Sequence, residues 1–327
     1  MDMNIYINPE RGTWEALASR RRSDDNSVDE TVAAIIRRVR KEGDMALCSL
    51  SREIDRVELS AIEVSDEEKV AASGLVPDKM KAALSRAAEN IMAFHKAQFP
   101  AEIKVETMPG VKCMSRPVPI QNIGLYIPGG SAPLFSTVLM LGIPAMVAGC
   151  PNTVLCTPPD RNGAVNPTIL YAASLCGIRR IFKAGGAQAI AAMAFGTETI
   201  PKADKIFGPG NRYVTRAKQM LSSVVAIDMP AGPSEVMVLA DTSARPDFVA
   251  ADLLSQAEHG ADSQVILVCM SEDFAHKVRK ETATQLTVLP RRDIASKALE
   301  GSRIIVMESA DDMVDFANLY AAEHLII

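Results

Sequence analysis

Asn122–Leu134 reads NIGLYIPGGSAPL, and the fold is read outward from it. A short apolar run, NIGLYI, enters a Pro-Gly-Gly loop, and an apolar helical pattern, TVLMLGIPAMVAG, follows. Strand, glycine loop, helix is the unit from which parallel sheets are built. The same order recurs along the chain. NTVLCT leads to a helix that Asn166 and Pro167 open and Gly177 closes, as capping chemistry asks. RRIFKA meets Gly185 and Gly186 and then AQAIAAMAFG; KIF enters GPGN and a helix beginning near Arg212; VVAIDM runs into PAGPSE. Residues 122–234 are therefore expected to form one doubly wound domain of five strands, an inserted α/β domain carrying nucleotide-binding loops.

A second set of strands, SEVMVLAD, SQVILVCM and SRIIVMES, lies beyond it, each followed by a helical pattern. Between Ser27 and Pro100, apolar residues recur every three or four positions in VDETVAAIIRRVRKEGDMAL, SDEEKVAASGLV and PDKMKAALSRAAENIMAFHKAQF, which is a helical lead-in without visible chemistry. Too few elements follow Ser234 to complete a layered domain alone. The expected fold is thus α/β, with two doubly wound (Rossmann-like) parallel-sheet domains. The first is discontinuous, residues 1–121 with 235–327, and the second is 122–234.

Composition narrows the class. Hydrophobic residues at 48% and charged residues at 23% are those of a globular protein, and the formal net charge of -5, without a long basic block, argues against nucleic acid and anionic membranes as partners. Six cysteines are scattered without a CxxC pair, and MDMNIYINPERG lacks the pattern of a secretory signal, so free thiols in a reducing cytoplasm are expected. The longest apolar stretch, Val138–Cys150, is broken by Gly142, Pro144 and Gly149 and is too short to span a bilayer.

In open parallel sheets, ligands gather beyond the carboxyl ends of the strands. Four loops are placed there: Tyr126–Gly130 (YIPGG), Gly185–Gln188 (GGAQ), Gly208–Asn211 (GPGN) and Ala231–Ser234 (AGPS). Glycine lets backbone approach a ligand, although such turns also serve only to turn, and no GxGxxG follows a strand. A second candidate is LLSQAEHG, Leu253–Gly260. Its Gln256 and His259 stand three apart in a helical pattern and share a face as half of a metal site. The alternative is a helix end in which Gly260 caps and His259 meets the dipole. Glu323 and His324 stand side by side near the end, suited to a general base and to activation of water, or else to a dipole-stabilised helix end. His276 lies on a charged helix and reads as solvated, and His95 lies near a helix end with nothing beside it that would tune it. Cys156, in TVLCT, reads as a buried thiol rather than a nucleophile.

Taken together, GLYIPGGSAPL, AGGAQAIAAMAFGTETIPKADKIFGPGN, IDMPAGPSEVMV, DLLSQAEHG and AAEHL closely resemble histidinol dehydrogenase, and the likeness runs from VRKEGD to the last residue. One departure is Ile54 in REID, where that family usually has Phe. The resemblance implies oxidation of L-histidinol to L-histidine through the aldehyde, with two NAD accepting hydride and zinc as a template, in a homodimer. It implies that Tyr126, Gln188 and Asn211 contact NAD, and that Ser234, Gln256, His259 and His324 contact substrate. Gln256 and His259 would also ligate zinc, with His324 as general base and Glu323 activating water. It further implies that the family's chain continues past EHL and there supplies an Asp and a His to the zinc, the His from the partner subunit. The chain to Ile327 is accordingly expected to be truncated, to hold zinc weakly and to turn over poorly. A catalytically silent ligand-binding fragment of the same fold is the competing reading.

Overall fold

The computed structural model describes residues 3–20, 26–129, 133–230 and 234–327. The chain divides into two compact units, Met1–Asp24 with Ala231–Ile327, and Asp25–Pro230. In chain order it opens on β1 (Asn4–Ile7) and one helical turn, α1 (Trp14–Leu17). The helical lead-in follows as α2 (Asn26–Glu42), α3 (Asp44–Leu50), α4 (Asp66–Leu75) and α5 (Asp78–Ala97). Gly43, at φ +53°, separates the first two, because a side chain there would be strained and would collide with the Glu198 carboxylate that accepts the Asp44 N–H at 2.8 Å. The SDEE motif folds as a capping box: Ser65 Oγ accepts from Glu68 N at 3.2 Å, and Glu68 Oε2 accepts from Ser65 N at 2.9 Å.

β2 (Ile103–Met108) and β3 (Val111–Ser115) then form an antiparallel hairpin, with every residue of both strands exposed. The sequence reading did not place it. The signal was available as two alternating runs about the Pro109–Gly110 turn.

β4 (Asn122–Tyr126), α6 (Phe135–Val147), β5 (Asn152–Thr157), α7 (Pro167–Leu175), β6 (Arg180–Lys183), α8 (Gly186–Phe195), β7 (Lys205–Phe207), α9 (Arg212–Leu221) and β8 (Ala226–Ile227) complete this unit. Its five strands lie in the order β6-β5-β4-β7-β8, all parallel, so the connections reverse direction between β4 and β7. Alternation along the strands sorts the core into two layers. Ile123, Leu125, Leu155 and Ile181 pack with α4 to α7, while Tyr126, Cys156, Phe182 and Ile206 pack with α2, α3, α8 and α9.

The helical lead-in therefore covers this sheet, and its expected assignment to the other domain, residues 1–121 with 235–327, is corrected. The physical reason lies at the two ends of the chain. β9 (Glu235–Ala240), α10 (Pro246–Ala257), β10 (Gln264–Cys269), α11 (Glu272–Leu286), α12 (Arg292–Leu299), β11 (Arg303–Val306), α13 (Ala310–Tyr320) and β12 (His324–Ile326) are joined by β1 in a parallel sheet ordered β1-β11-β10-β9-β12. With edge strands from both termini and its own helices on both faces, this sheet needs no lead-in to cover it. Val236, Val238, Leu267 and Ile304 face α10 to α12. Met237, Ile266, Val268 and Ile305 face Phe316 and Tyr320 of α13 and Trp14 of α1, whose ring meets Phe316 edge-on at 5.8 Å. Among the described residues no helix is long and apolar enough to cross a membrane.

Candidate functional site

In the unit Asp25–Pro230, the GGAQ and GPGN loops stand at the carboxyl ends of β6 and β7, and YIPGG leaves the end of β4. Gly130 of that loop and residues 231–233 of AGPS lie outside the described residues. Tyr126 is buried, and its hydroxyl accepts the N–H of Gly186, the first residue of α8, at 3.0 Å. The phenol thus occupies one of the helix's free donors, and burial pushes its pKa up to about 12. Gln188, in the first turn of α8, is buried, with its amide oxygen 2.7 Å from where a Cβ on Gly186 would lie. Asn211 is exposed and is the N-cap of α9. Its Oδ1 accepts from Tyr213 N at 3.1 Å and Val214 N at 3.2 Å, a use that leaves the amide nitrogen out of the cap. At the end of β5 the buried Thr157 hydroxyl has no hydrogen-bond partner among the described residues.

Two residues the sequence reading missed hold this region. Lys218 is buried on α9, donates to the Gly208 carbonyl at 2.9 Å and is ion-paired with Asp228, while Asp228 Oδ2 accepts the Gly208 N–H at 2.8 Å. The signal for Lys218 was its place on the apolar stripe Val214, Ala217, Leu221, where a lysine is out of character. Gly208 has φ +134°, and a side chain there would run into the Tyr126 carbonyl. Asp55 of REID was also passed over. Burial raises its carboxyl above the usual range.

In the other unit the candidates gather at the amino ends of the strands. Ser234 precedes β9, Glu323 precedes β12, and His324 is the first residue of β12. His324 pairs with Val236 across the parallel ladder, and this register brings Glu323 beside Glu235: Glu323 Oε2 accepts the Glu235 N–H at 3.3 Å. Ser234 is held by its own carbonyl, which accepts from Gln264 N at 3.1 Å. His324 is therefore not at a helix end. α13 stops at Tyr320, Ala321 turns left-handed at φ +49°, and a strand begins. The His324 ring nitrogen lies 3.7 Å from Glu323 Oε1, with the two side chains 57% and 48% exposed, so both are open to a ligand.

Arg20 supplies the counter-charge to Glu235. Its guanidinium grips Glu235 with Nε to Oε1 at 2.5 Å and Nη2 to Oε2 at 3.0 Å, and donates to the carbonyls of Tyr320 at 2.6 Å and Ala321 at 3.2 Å. The same guanidinium stacks 4.5 Å from the Tyr320 ring centroid. Glu235 is thus neutralised, and the turn leading to Glu323 and His324 is anchored from a residue 300 positions away from Tyr320. Nothing local in the sequence marks Arg20.

LLSQAEHG departs from its expected geometry. α10 ends at Ala257 with Gln256 buried in its last turn, while Glu258 and the exposed His259 form a turn in which His259 N donates to Gln256 O at 3.2 Å. Gly260 is not left-handed, so the expected cap is absent. Among the described residues no group of three or more His, Cys, Asp or Glu could hold a metal ion. Cys156 is fully buried, and burial raises its thiol far above the ordinary range, which removes it as a nucleophile.

Comparison with known proteins agrees with this architecture. A family model described as histidinol dehydrogenase matches residues 18–327. The chain is 54% identical over 326 residues to the histidinol dehydrogenase of Bacteroides thetaiotaomicron, covering 99% of this chain and 76% of that protein. It is 53% identical over 308 residues to that of Salmonella typhimurium, covering 93% and 70%. The crystal structure of histidinol dehydrogenase from Elizabethkingia anophelis superposes with a TM-score of 0.96 at 55% identity, over 99% of this chain and 75% of that one.

Proposed function

Because the chain belongs to the histidinol dehydrogenase family, we propose that it oxidises L-histidinol to L-histidine through the aldehyde, with NAD as hydride acceptor in each of the two steps. The observation that carries this reading is the exposed Glu323–His324 pair beside an acid, Glu235, that Arg20 has already neutralised. His324 takes the alcohol proton, so that hydride can leave the adjacent carbon. Glu323, with its Oε2 oriented by the Glu235 N–H, takes a proton from the water that adds to the aldehyde. Ser234, set beside this pair by the β9–β12 ladder, is assigned to the substrate.

The glycine loops support a dinucleotide site. A Cβ on Gly185 would come within 2.6 Å of Pro158, the unpartnered Thr157 hydroxyl lies at the same edge, and Asn211 offers an amide outside its cap. NAD bound there supplies the hydride acceptor. Tyr126 and Gln188, both buried, would shape the loop beneath it, and Asn211 would meet it.

Zinc fits less well. Gln256 and His259 are two donors, one of them a neutral amide, and among the described residues no group of three or more His, Cys, Asp or Glu could hold a metal ion, so no step is assigned to the metal. That observation favours a second reading, binding of NAD or histidinol without efficient turnover. The cytoplasmic and homodimeric character that belongs to the proposal is supported by free cysteines and by the exposed apolar side chains of the β2–β3 hairpin, Ile103, Val105 and Met108 among them. Histidinol-dependent NADH formation, with metal content measured on the same sample, tests the proposal. His324→Gln should abolish turnover and Glu323→Gln should stall it at the aldehyde. NADH formation indifferent to both substitutions would overturn the assignment, and NAD binding without zinc or turnover would establish the second reading.

A further inference from the structure

An ammonium on the buried stripe of an amphipathic helix is costly, and an apolar side chain would fill the same place at least as stably. Lys218 nevertheless stands there at 5% exposure, among Val214, Ala217 and Leu221. Its contacts say what it does. The lysine donates to the carbonyl of Gly208, its partner Asp228 accepts the N–H of the same residue, and the two side chains are paired with each other. Both polar groups of one loop residue are thus held by a single ion pair, one member from α9 and the other from the segment just after β8.

Gly208 is also where the loop is conformationally least determined, since φ +134° is open to glycine and glycine can leave it without penalty. Only the lack of a side chain lets it sit against the Tyr126 carbonyl, and the Tyr126 hydroxyl accepts the Gly186 N–H. The pair therefore ties the end of β4, the start of α8 and the start of α9 into one connected arrangement. We propose that Lys218 and Asp228 are positioning residues that lock the GPGN loop, before any ligand arrives, in the conformation from which Asn211 and the neighbouring glycine loops bind the dinucleotide. The proposal rests on the reading of these loops as the NAD site, and it assigns neither residue a contact with NAD. A binding-competent conformer that falls to about a tenth of the population weakens apparent affinity about tenfold.

The test uses the full chain in three forms: wild type, Lys218→Met, and Lys218→Met with Asp228→Asn, the last removing both charges so that no carboxylate is left unpaired. Amide hydrogen exchange across 208–211 is measured without ligand, NAD affinity by calorimetry, and the urea midpoint as a control. Both variants should speed exchange across 208–211 about tenfold and weaken NAD about tenfold, while the double variant keeps the wild-type midpoint. Unchanged exchange at 208–211 would overturn the lock, and faster exchange with unchanged NAD affinity would overturn its positioning role. A wild-type chain that does not bind NAD would instead refute the reading of the loops, with the exchange data still deciding whether the lock exists.

Discussion

Arg20→Met is the sharpest test of how the Glu323–His324 turn is held. The substitution keeps an unbranched apolar stem but removes the charge from Glu235, whose side chain is 10% exposed, and two donors from the carbonyls of Tyr320 and Ala321. Stripping one partner from a buried pair costs about 3–5 kcal/mol. Arg20 itself is 42% exposed, so solvent already screens the pair and can replace it at the carbonyls, which brings the expected loss below that range, to about 2–3 kcal/mol. Arg20→Lys keeps the charge but cannot bridge both Glu235 oxygens and both carbonyls, and it should recover about half of that. Adding Glu235→Gln to Arg20→Met removes the stranded charge and should restore about 1–2 kcal/mol, a coupling that independent sites would not show. Urea denaturation of these proteins and of Glu235→Gln alone, at equal protein concentration, supplies the energies and closes the cycle. Turnover by Arg20→Met should fall with them, because the anchor of the left-handed Ala321 and the neutral partner of Glu323 disappear together. An Arg20→Met protein within about 0.5 kcal/mol of wild type, the scatter of ordinary surface substitutions, would refute the reasoning.

Other outcomes follow from the same contacts. Gly208→Ala places a methyl group in the Tyr126 carbonyl at a φ that alanine rarely adopts, and it should cost about 2–4 kcal/mol and weaken NAD binding, readable by thermal shift and calorimetry. Arg38 and the Ser49 hydroxyl lower the Glu53 carboxyl to about 2. The stability this contributes is present above the unfolded value near 4.5 and is lost as pH falls through about 2, and a carboxylate titration by NMR should move back toward 4.5 in Arg38→Met. Native protein should expose Cys113 to a thiol reagent quickly while Cys156, Cys176 and Cys269 react only on unfolding, and turnover that alkylation leaves intact would close the case for a cysteine nucleophile. Zinc retained on dialysis should be well below one per chain, and stoichiometric metal would show that Gln256 and His259 have partners not recognised among the described residues.

Much of this protein is legible in its residues because strands and helices buried in parallel sheets carry their own signals. NIGLYI, NTVLCT and SQVILVCM announce strands, Asn166–Pro167 and Ser65–Glu68 announce helix starts, and these depend only on local sterics and capping. The order of elements then leaves little choice but a doubly wound sheet. What local pattern cannot encode is which surface each element covers. The lead-in helices have apolar stripes that would fit either sheet, and tertiary packing decided the matter by laying α2 to α5 on the sheet of β4 to β8. β1 is too brief to stand out, and β12 shows in the sequence only as the apolar run LII, yet the register of β12 places His324 and sets Glu323 against Glu235.

The candidate site divides along the same line. Residue type and motif single out Gln256, His259, Glu323 and His324 and the glycine loops that hold Tyr126, Gln188 and Asn211, and the family resemblance picks out those three within the loops. Arg20, Lys218 and Asp228 are not visible that way, since their meaning lies in pairs closed over 215 residues for Arg20 and Glu235 and over a buried helix face for Lys218. A sequence determines its elements through interactions a few residues long. The charges that hold a reactive turn or a ligand loop in place act through space, and only the folded chain decides which of them meet.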